Sequence, residues 1–159
     1  MKLDVGCGTS PKGHVNIDLF IKETPQRVLN EAINPKSVPN FIIADAHYLP
    51  IKNNSFDTVC SHHVIEHLDN HTKAILEMIR VCSNEVILVI PHRFAKKSLF
   101  RYRPCITHKH LFNQTSITKW LRSLNLSFEI EVKYKALPHL FLPIIQLPHV
   151  IKIWIREKK

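Results

Sequence analysis

Glycine is nearly absent from this chain, and where it does occur it is concentrated. The three glycines, Gly6, Gly8 and Gly13, fall within one short run, Met1 to Asp18, reading MKLDVGCGTSPKGHVNID. A chain of this length ordinarily carries about eleven. Leu3 and Val5 precede the turn, Val15 follows it, and an aspartate, Asp4 or Asp18, belongs to each half. Without a Cβ the backbone at Gly6 and Gly8 can turn tightly and present its amides to a bound group. The run therefore reads as a strand, a turn that a ligand can approach closely, and a second strand.

The rest of the composition is that of one globular domain, residues 1–159, with 45% apolar and 22% charged residues. Asp4 and the glycine turn interrupt any signal-like apolar run at the start. The most apolar stretch, Ala136 to Ile155, is broken by three prolines and carries Lys152, so no membrane span is expected. The four cysteines form no C-x-x-C pair, and a cytoplasmic chain with reduced thiols is the expectation. The net charge of +9 is unevenly placed: Val86 to Phe128 holds eight basic residues and no acid. Such asymmetry favours an anionic partner, although a solvated basic surface is the commoner outcome.

Apolar periodicity predicts strands at Lys2–Val5, Val15–Phe20, Phe41–Ala44, Asp57–Ser61 and Glu85–Ile90. Thr24 and Pro25 mark a helix start, and its apolar face runs through Val28, Leu29, Ala32 and Ile33. A second helix is expected after Asp69 as cap, with Ala74, Ile75, Met78, Ile79 and Cys82 on one face. A third is expected after Thr115, with Ile117, Trp120, Leu121 and Leu124 inward. Two strands, Ser127–Tyr134 and Val150–Ile155, close the chain, joined by a loop from Pro138 to Pro148. Strands alternating with helices give an α/β sheet, mostly parallel, with a reversed strand near one edge. Only nine residues separate the first two strands, too few for a crossover helix, so a loop or single turn is expected there.

Ligands of open parallel sheets bind beyond the carboxyl ends of the strands. Those ends are predicted to carry Asp4, Gly6 and Gly8, then Asp18, then Asp45, then Ser61, His62 and His63. An acid after the second strand can accept both hydroxyls of a ribose. One after the third can accept an exocyclic amine, and the glycine turn cradles what lies between. The donor and acceptor pattern fits a nucleoside.

These strings carry a resemblance. LDVGCGTSPKG followed by NIDL, then ADAHYLPIKNNSFDTVCSHHVIEHL, resembles the class I S-adenosylmethionine-dependent methyltransferase family. The likeness covers roughly Met1 to Ile90, and the run His108 to Phe112 resembles the family's region before its last helix. It implies a Rossmann-like sheet of seven strands, the last antiparallel, with helices on both faces. Residues 1–90 would form the cofactor half and 91–159 the substrate side. It implies S-adenosylmethionine as cofactor, with Asp4, Gly6, Cys7 and Gly8 at its methionine part. Asp18 and Leu19 would lie at the ribose, Asp45 and Ala46 at the adenine, and His62 and His63 at the wall near the sulfonium. Departures from the pattern are Ser10 at the third glycine position, the short spacing from Asp4 to Asp18, and a first strand with no helix before it.

Rival chemistries are weaker. A nicotinamide-binding unit needs a third glycine where Pro11 stands. His63, His67 and His71 share a spacing of four, but the string is not H-E-x-x-H, and no metal site is expected. His67 is expected to pack at a helix start and His71 to be exposed. Ser61-His62-His63-Val64 does not match the Asn/Asp-Pro-Pro-aromatic signature of base-amino methyltransferases. Cys105 follows the fifth strand and is read as incidental. His62, His63, His108 and His110 are candidate proton acceptors, each competing with a plain wall role.

The basic segment His92 to His110 interleaves cations with aromatics, which suits nucleic acid, an acidic protein surface or a phosphorylated small molecule. The leading function is methyl transfer to an anionic or macromolecular acceptor. The alternative is a non-catalytic nucleic-acid- or partner-binding protein on the same scaffold. The apolar run Leu137 to Pro148 is a candidate lid or homodimer contact.

Overall fold

The computed structural model describes residues 1–19, 33–93, 108–136 and 146–156. The helix expected at 24–33, the centre of the basic segment at 94–107 and the apolar loop at 137–145 therefore lie essentially outside the described residues.

The described residues build one seven-stranded sheet in the order β3-β2-β1-β4-β5-β7-β6. In chain order these are β1 (Lys2–Val5), β2 (Val15–Asp18), β3 (Phe41–Ile43), β4 (Phe56–His62), β5 (Cys82–Pro91), β6 (Ser127–Ala136) and β7 (Gln146–Arg156). β1, β2, β3, β4 and β5 are mutually parallel, while β7 runs antiparallel to both of its neighbours, β5 and β6. The reversed strand near one edge is thus as expected. β7 starts at Gln146, so Pro148 lies in the strand and not in the preceding loop. The chain steps outward from β1 to β2 and β3, then returns to place β4 on the other side of β1. That reversal between β1 and β4 is the switch point at which such sheets bind ligands.

The connection from β1 to β2 is a loop, pinned by a buried asparagine. Asn16 Oδ1 accepts from Gly13 N at 3.0 Å, and its Nδ2 donates to the carbonyls of Gly13 at 3.2 Å and Pro39 at 2.7 Å. Every polar atom of this side chain is used, so the loop holds parallel strands together without a crossover helix. Gly13 is required there, because a Cβ would stand 2.7 Å from Asp4 N.

Helix α1 (His71–Val81) buries Ala74, Ile75 and Met78 of the expected face, with Val81 also buried and Ile79 only partly so. Its cap is Asn70, whose side chain accepts from Lys73 N at 3.0 Å. Asp69, the residue expected to cap, pairs instead with Lys109 Nζ. Cys82 leaves the helix and opens β5. Helix α2 (Gln114–Ser123) starts two residues earlier than expected: Asn113 and Ser116 form a reciprocal capping box, which displaces Thr115 into the first turn. Ile117 and Leu121 are buried, and Trp120 Nε1 donates to Thr72 Oγ1 at 2.9 Å, joining α2 to α1. Both helices share one core with Leu3, Val59, Val86, Leu88, Ile151 and Ile153. No helix among the described residues is long and apolar enough to cross a membrane.

Candidate cofactor site at the strand ends

The glycine turn follows β1 directly. Gly6 adopts φ +76° and Gly8 φ +57°, both in the left-handed region. A Cβ on Gly6 would overlap the Cγ2 of Val64. The group that approaches Gly6 closely is thus the Val64 side chain of the same chain, and the amides of the turn are not turned outward. Gly6 N and Cys7 N both donate to the Ile17 carbonyl, at 2.7 and 3.0 Å, and Gly8 N donates to Asp18 Oδ2 at 2.9 Å. The expectation that this turn offers its amides outward is corrected here. They are spent on β2, because a turn with no following helix has to satisfy its own donors.

Asp4 lies beneath the turn, only 2% exposed. Its Oδ2 accepts from Lys12 N at 2.8 Å and its Oδ1 from the Cys60 thiol at 3.4 Å. Burial raises its pKa above the ordinary carboxylate value, against the lowering effect of the Lys12 amide. Burial and the neighbouring Asp4 carboxylate push the Cys60 thiol up to about 12, so Cys60 remains a neutral donor. Asp4 thus holds the loop that forms the cradle. Cys7 is buried with Ile33 and Val38 in a second small apolar cluster.

Asp18 ends β2 flush with the end of β3: it is registered with Ile43, and its carbonyl accepts from Ala44 N at 3.3 Å. Leu19 follows it and is exposed. Asp45 stands at the next position outward along the rim, with His47 N at 2.9 Å and His47 Nδ1 at 2.6 Å from its Oδ1. Burial works to raise the Asp45 pKa, and the two His47 bonds outweigh it, so the carboxyl is held below its ordinary value. Ala46 beside it is buried. Sequence reasoning missed His47, although an Asp followed two residues later by a donor is a recognisable Asx-turn pattern.

On the far side of β1, His62 ends β4. Lys12 Nζ donates to its Nδ1 at 3.0 Å, tying the glycine loop across the switch point to β4. Burial, together with the Lys12 and His63 charges, drops the His62 pKa to about 4. The ring is therefore neutral at pH 7 and accepts at Nδ1. Nothing in the sequence signalled Lys12. His63 has φ +56° and is half-exposed, with Nδ1 3.6 Å from Glu66 Oε1. His110 sits apart from His62: its Nε2 contacts the Leu68 carbonyl at 3.0 Å, and its ring packs edge-on against His71. His71 is not exposed as expected but half-buried between His110 and Trp120. His67 does lie in a short helical turn, Ile65–His67, and its ring meets that of His108.

One rim thus gathers Gly6, Gly8, Asp18, Asp45 and His62. The carboxylates stand at the outer strand ends, and a turn whose Cβ-less Gly6 abuts Val64 stands at the centre. This arrangement fits an adenosine-containing group.

Residues 3–90, more than half of the chain, match the family described as Methyltransferase domain (Methyltransf_11). The chain is 36% identical over 102 residues to an ajmaline N-methyltransferase of Rauvolfia serpentina, with 57% of this chain and 35% of that protein covered. It therefore spans about a third of that relative's length. A SAM-dependent methyltransferase from Thermotoga maritima superposes with a TM-score of 0.68 at 19% identity, covering 99% of this chain and 82% of that one. One from Archaeoglobus fulgidus gives 0.67 at 16%, covering 98% and 85%. At such identities the two structures speak for the fold alone, a Rossmann-like sheet with the last strand antiparallel. The chain belongs to the methyltransferase domain family, the class I S-adenosylmethionine-dependent methyltransferases, and its cofactor is S-adenosylmethionine.

Proposed function

We propose that this chain transfers a methyl group from S-adenosylmethionine to an anionic or macromolecular acceptor. The observation that supports this best is a pair of links, Gly8 N to Asp18 between the β1 turn and β2, and Lys12 Nζ to His62 across the switch point. They draw the ends of β1, β2 and β4 into one cradle. The cofactor supplies an electrophilic methyl on a sulfonium. The protein's task is then mainly to position the partners and, for some acceptors, to take up a proton.

In this reading Asp18 binds the ribose hydroxyls and Asp45 with Ala46 the adenine. The turn at Gly6, Cys7 and Gly8, with Asp4 beneath it, bounds the methionine part. His62 and His63 border the reacting methyl. A ring with a pKa of about 4 holds few protons at pH 7, so His62 serves better as an acceptor of hydrogen bonds than as a general base. His63, which is half-exposed, is the better candidate base of the two.

The acceptor reading rests on charge. With a net charge of +9 the chain repels a cationic amine and attracts an anion. The basic segment leaves the sheet at β5 and returns beside it: His92 bridges Phe112, and Arg93 N donates to the Phe112 carbonyl at 2.7 Å. Both anchors stand at the ligand-binding end of the sheet, which is where an acceptor must enter. Nucleic acid and acidic protein surfaces are the two classes to be screened. Transfer of labelled methyl from S-adenosylmethionine onto RNA, DNA and protein fractions tests the proposal. Salt-sensitive labelling of one fraction is expected, and labelling of neutral amines alone would overturn the acceptor class.

A further inference from the structure

Glu66 poses a problem that the cofactor site does not solve. Its side chain is 1% exposed, and neither carboxylate oxygen has a hydrogen-bond partner among the described residues. A buried carboxylate is ordinarily paired, hydrogen-bonded or bound to a metal. Around its Oε1 stand three imidazole nitrogens: His63 Nδ1 at 3.6 Å, His67 Nε2 at 3.8 Å and His108 Nε2 at 3.9 Å. Each is too far for a hydrogen bond. Two ligands that share a tetrahedral zinc-sized ion are separated by about 3.4 Å, given metal–ligand bonds of about 2.1 Å. The separations from Glu66 Oε1 exceed that by a few tenths of an ångström, and the two histidine rings would draw together around an ion. One ligand atom each from Glu66, His67 and His108 lies within 4.8 Å of the others.

The backbone prepares the same cluster. The Glu66 carbonyl accepts from Lys109 N at 2.9 Å and His110 N at 3.1 Å, which docks the 108–110 segment onto the Ile65–His67 turn. His67 and His108 then meet edge to edge, with ring centroids 4.7 Å apart. The spacing of four between His63, His67 and His71 hid this grouping. His71 turns to Trp120, while the missing ligand comes from far along the chain.

We propose that Glu66, His67 and His108 bind a divalent first-row transition metal, with His63 beside the open side of the site. A carboxylate with two imidazoles suits zinc, cobalt, iron or nickel, whereas magnesium and calcium prefer all-oxygen sets. The three ligands leave at least one coordination position for another donor. A metal here clips the return of the basic segment to the end of β4 and neutralises the Glu66 carboxylate.

The whole chain, stripped with a chelator and kept free of S-adenosylmethionine, is titrated with Co2+ by calorimetry and visible absorption, then with Zn2+. One tight equivalent is expected, with d–d bands that Zn2+ abolishes and Mg2+ leaves unchanged. Glu66→Gln and His108→Asn should each weaken Co2+ binding at least tenfold, and a substitution of the exposed His149 on β7, His149→Asn, should not. Far-UV circular dichroism checks folding of each variant, and should Glu66→Gln unfold, His108→Asn decides alone. Absence of a tight equivalent in the unaltered chain, or its retention in both ligand variants, overturns the site. Because no methyl transfer is measured, the result is independent of the acceptor proposed above.

Discussion

The amide of Gly8 donates to the carboxylate of Asp18 at 2.9 Å, across the gap between the first turn and the second strand. This bond makes the glycine loop and the end of β2 one unit. Asp18→Ala removes the acceptor from a partly buried amide, which should cost about 1–2 kcal/mol of stability. Asp18→Asn keeps an acceptor and should lose less. Urea unfolding of the two variants checks the order.

Gly6 faces Val64 with φ +76°, and a methyl group would overlap Val64 Cγ2. Gly6→Ala should therefore destabilise by about 2–4 kcal/mol, from the combined backbone and steric effects. Val64→Ala removes the overlap but not the backbone strain. The double variant should recover part of the loss, which a double-mutant cycle measures.

His62 has its pKa lowered to about 4, first by burial and then by the Lys12 ammonium. Its protonation is thus linked to folding: the unfolded ring titrates near its ordinary 6.5 and the folded one only near 4. Stability contributed by the neutral ring is full above the unfolded value and is lost as pH falls from there through the folded value. A proton NMR titration should show the His62 ring resonance unchanged from pH 8 to about 5. Lys12→Met removes the charge and should raise the apparent pKa.

Glu77 and Arg80 on α1 hold the Leu49–Asn53 segment that follows the Asp45–His47 turn. Arg80 reaches both Glu77 oxygens, the carbonyls of Leu49 and Ile51, and Asn53 Oδ1, all within 3.0 Å. The Arg80 guanidinium holds the Glu77 carboxyl below its ordinary value. This contribution is complete above the unfolded pKa of 4.5 and disappears as pH falls through the lower folded value. The gap in melting temperature between the unaltered chain and Glu77→Gln should therefore narrow in acid. Arg80→Ala should loosen the segment, read as faster amide exchange at Leu49 and Ile51.

Much of this fold was legible because burial imposes a period. Leu3 and Val5, the Ala74–Met78 face and the Val86–Ile90 run each sit where the apolar pattern places them. Ends were less legible. Asp69 and Asn70 are both competent caps, and only the Lys109 contact, far along the chain, takes Asp69 away from that role. The same holds for Asn113 and Thr115, where the reciprocal bond from Ser116 decides. In the site, strand-end acids could be listed from sequence because strands end where apolar runs end. The direction of a backbone amide could not, so the bonds from Gly6 and Cys7 to the Ile17 carbonyl were unforeseen. The His67–His108 contact was equally hidden, since it depends on the return path of a long connection.

Calorimetric titration with S-adenosylhomocysteine tests the central claim most directly. The account predicts saturable binding at one site, weakened at least tenfold, or about 1.4 kcal/mol, in both Asp18→Ala and Asp45→Ala. Binding that both variants leave unchanged would contradict the placement of the cofactor on this rim, and no binding to the folded chain would contradict the cradle itself.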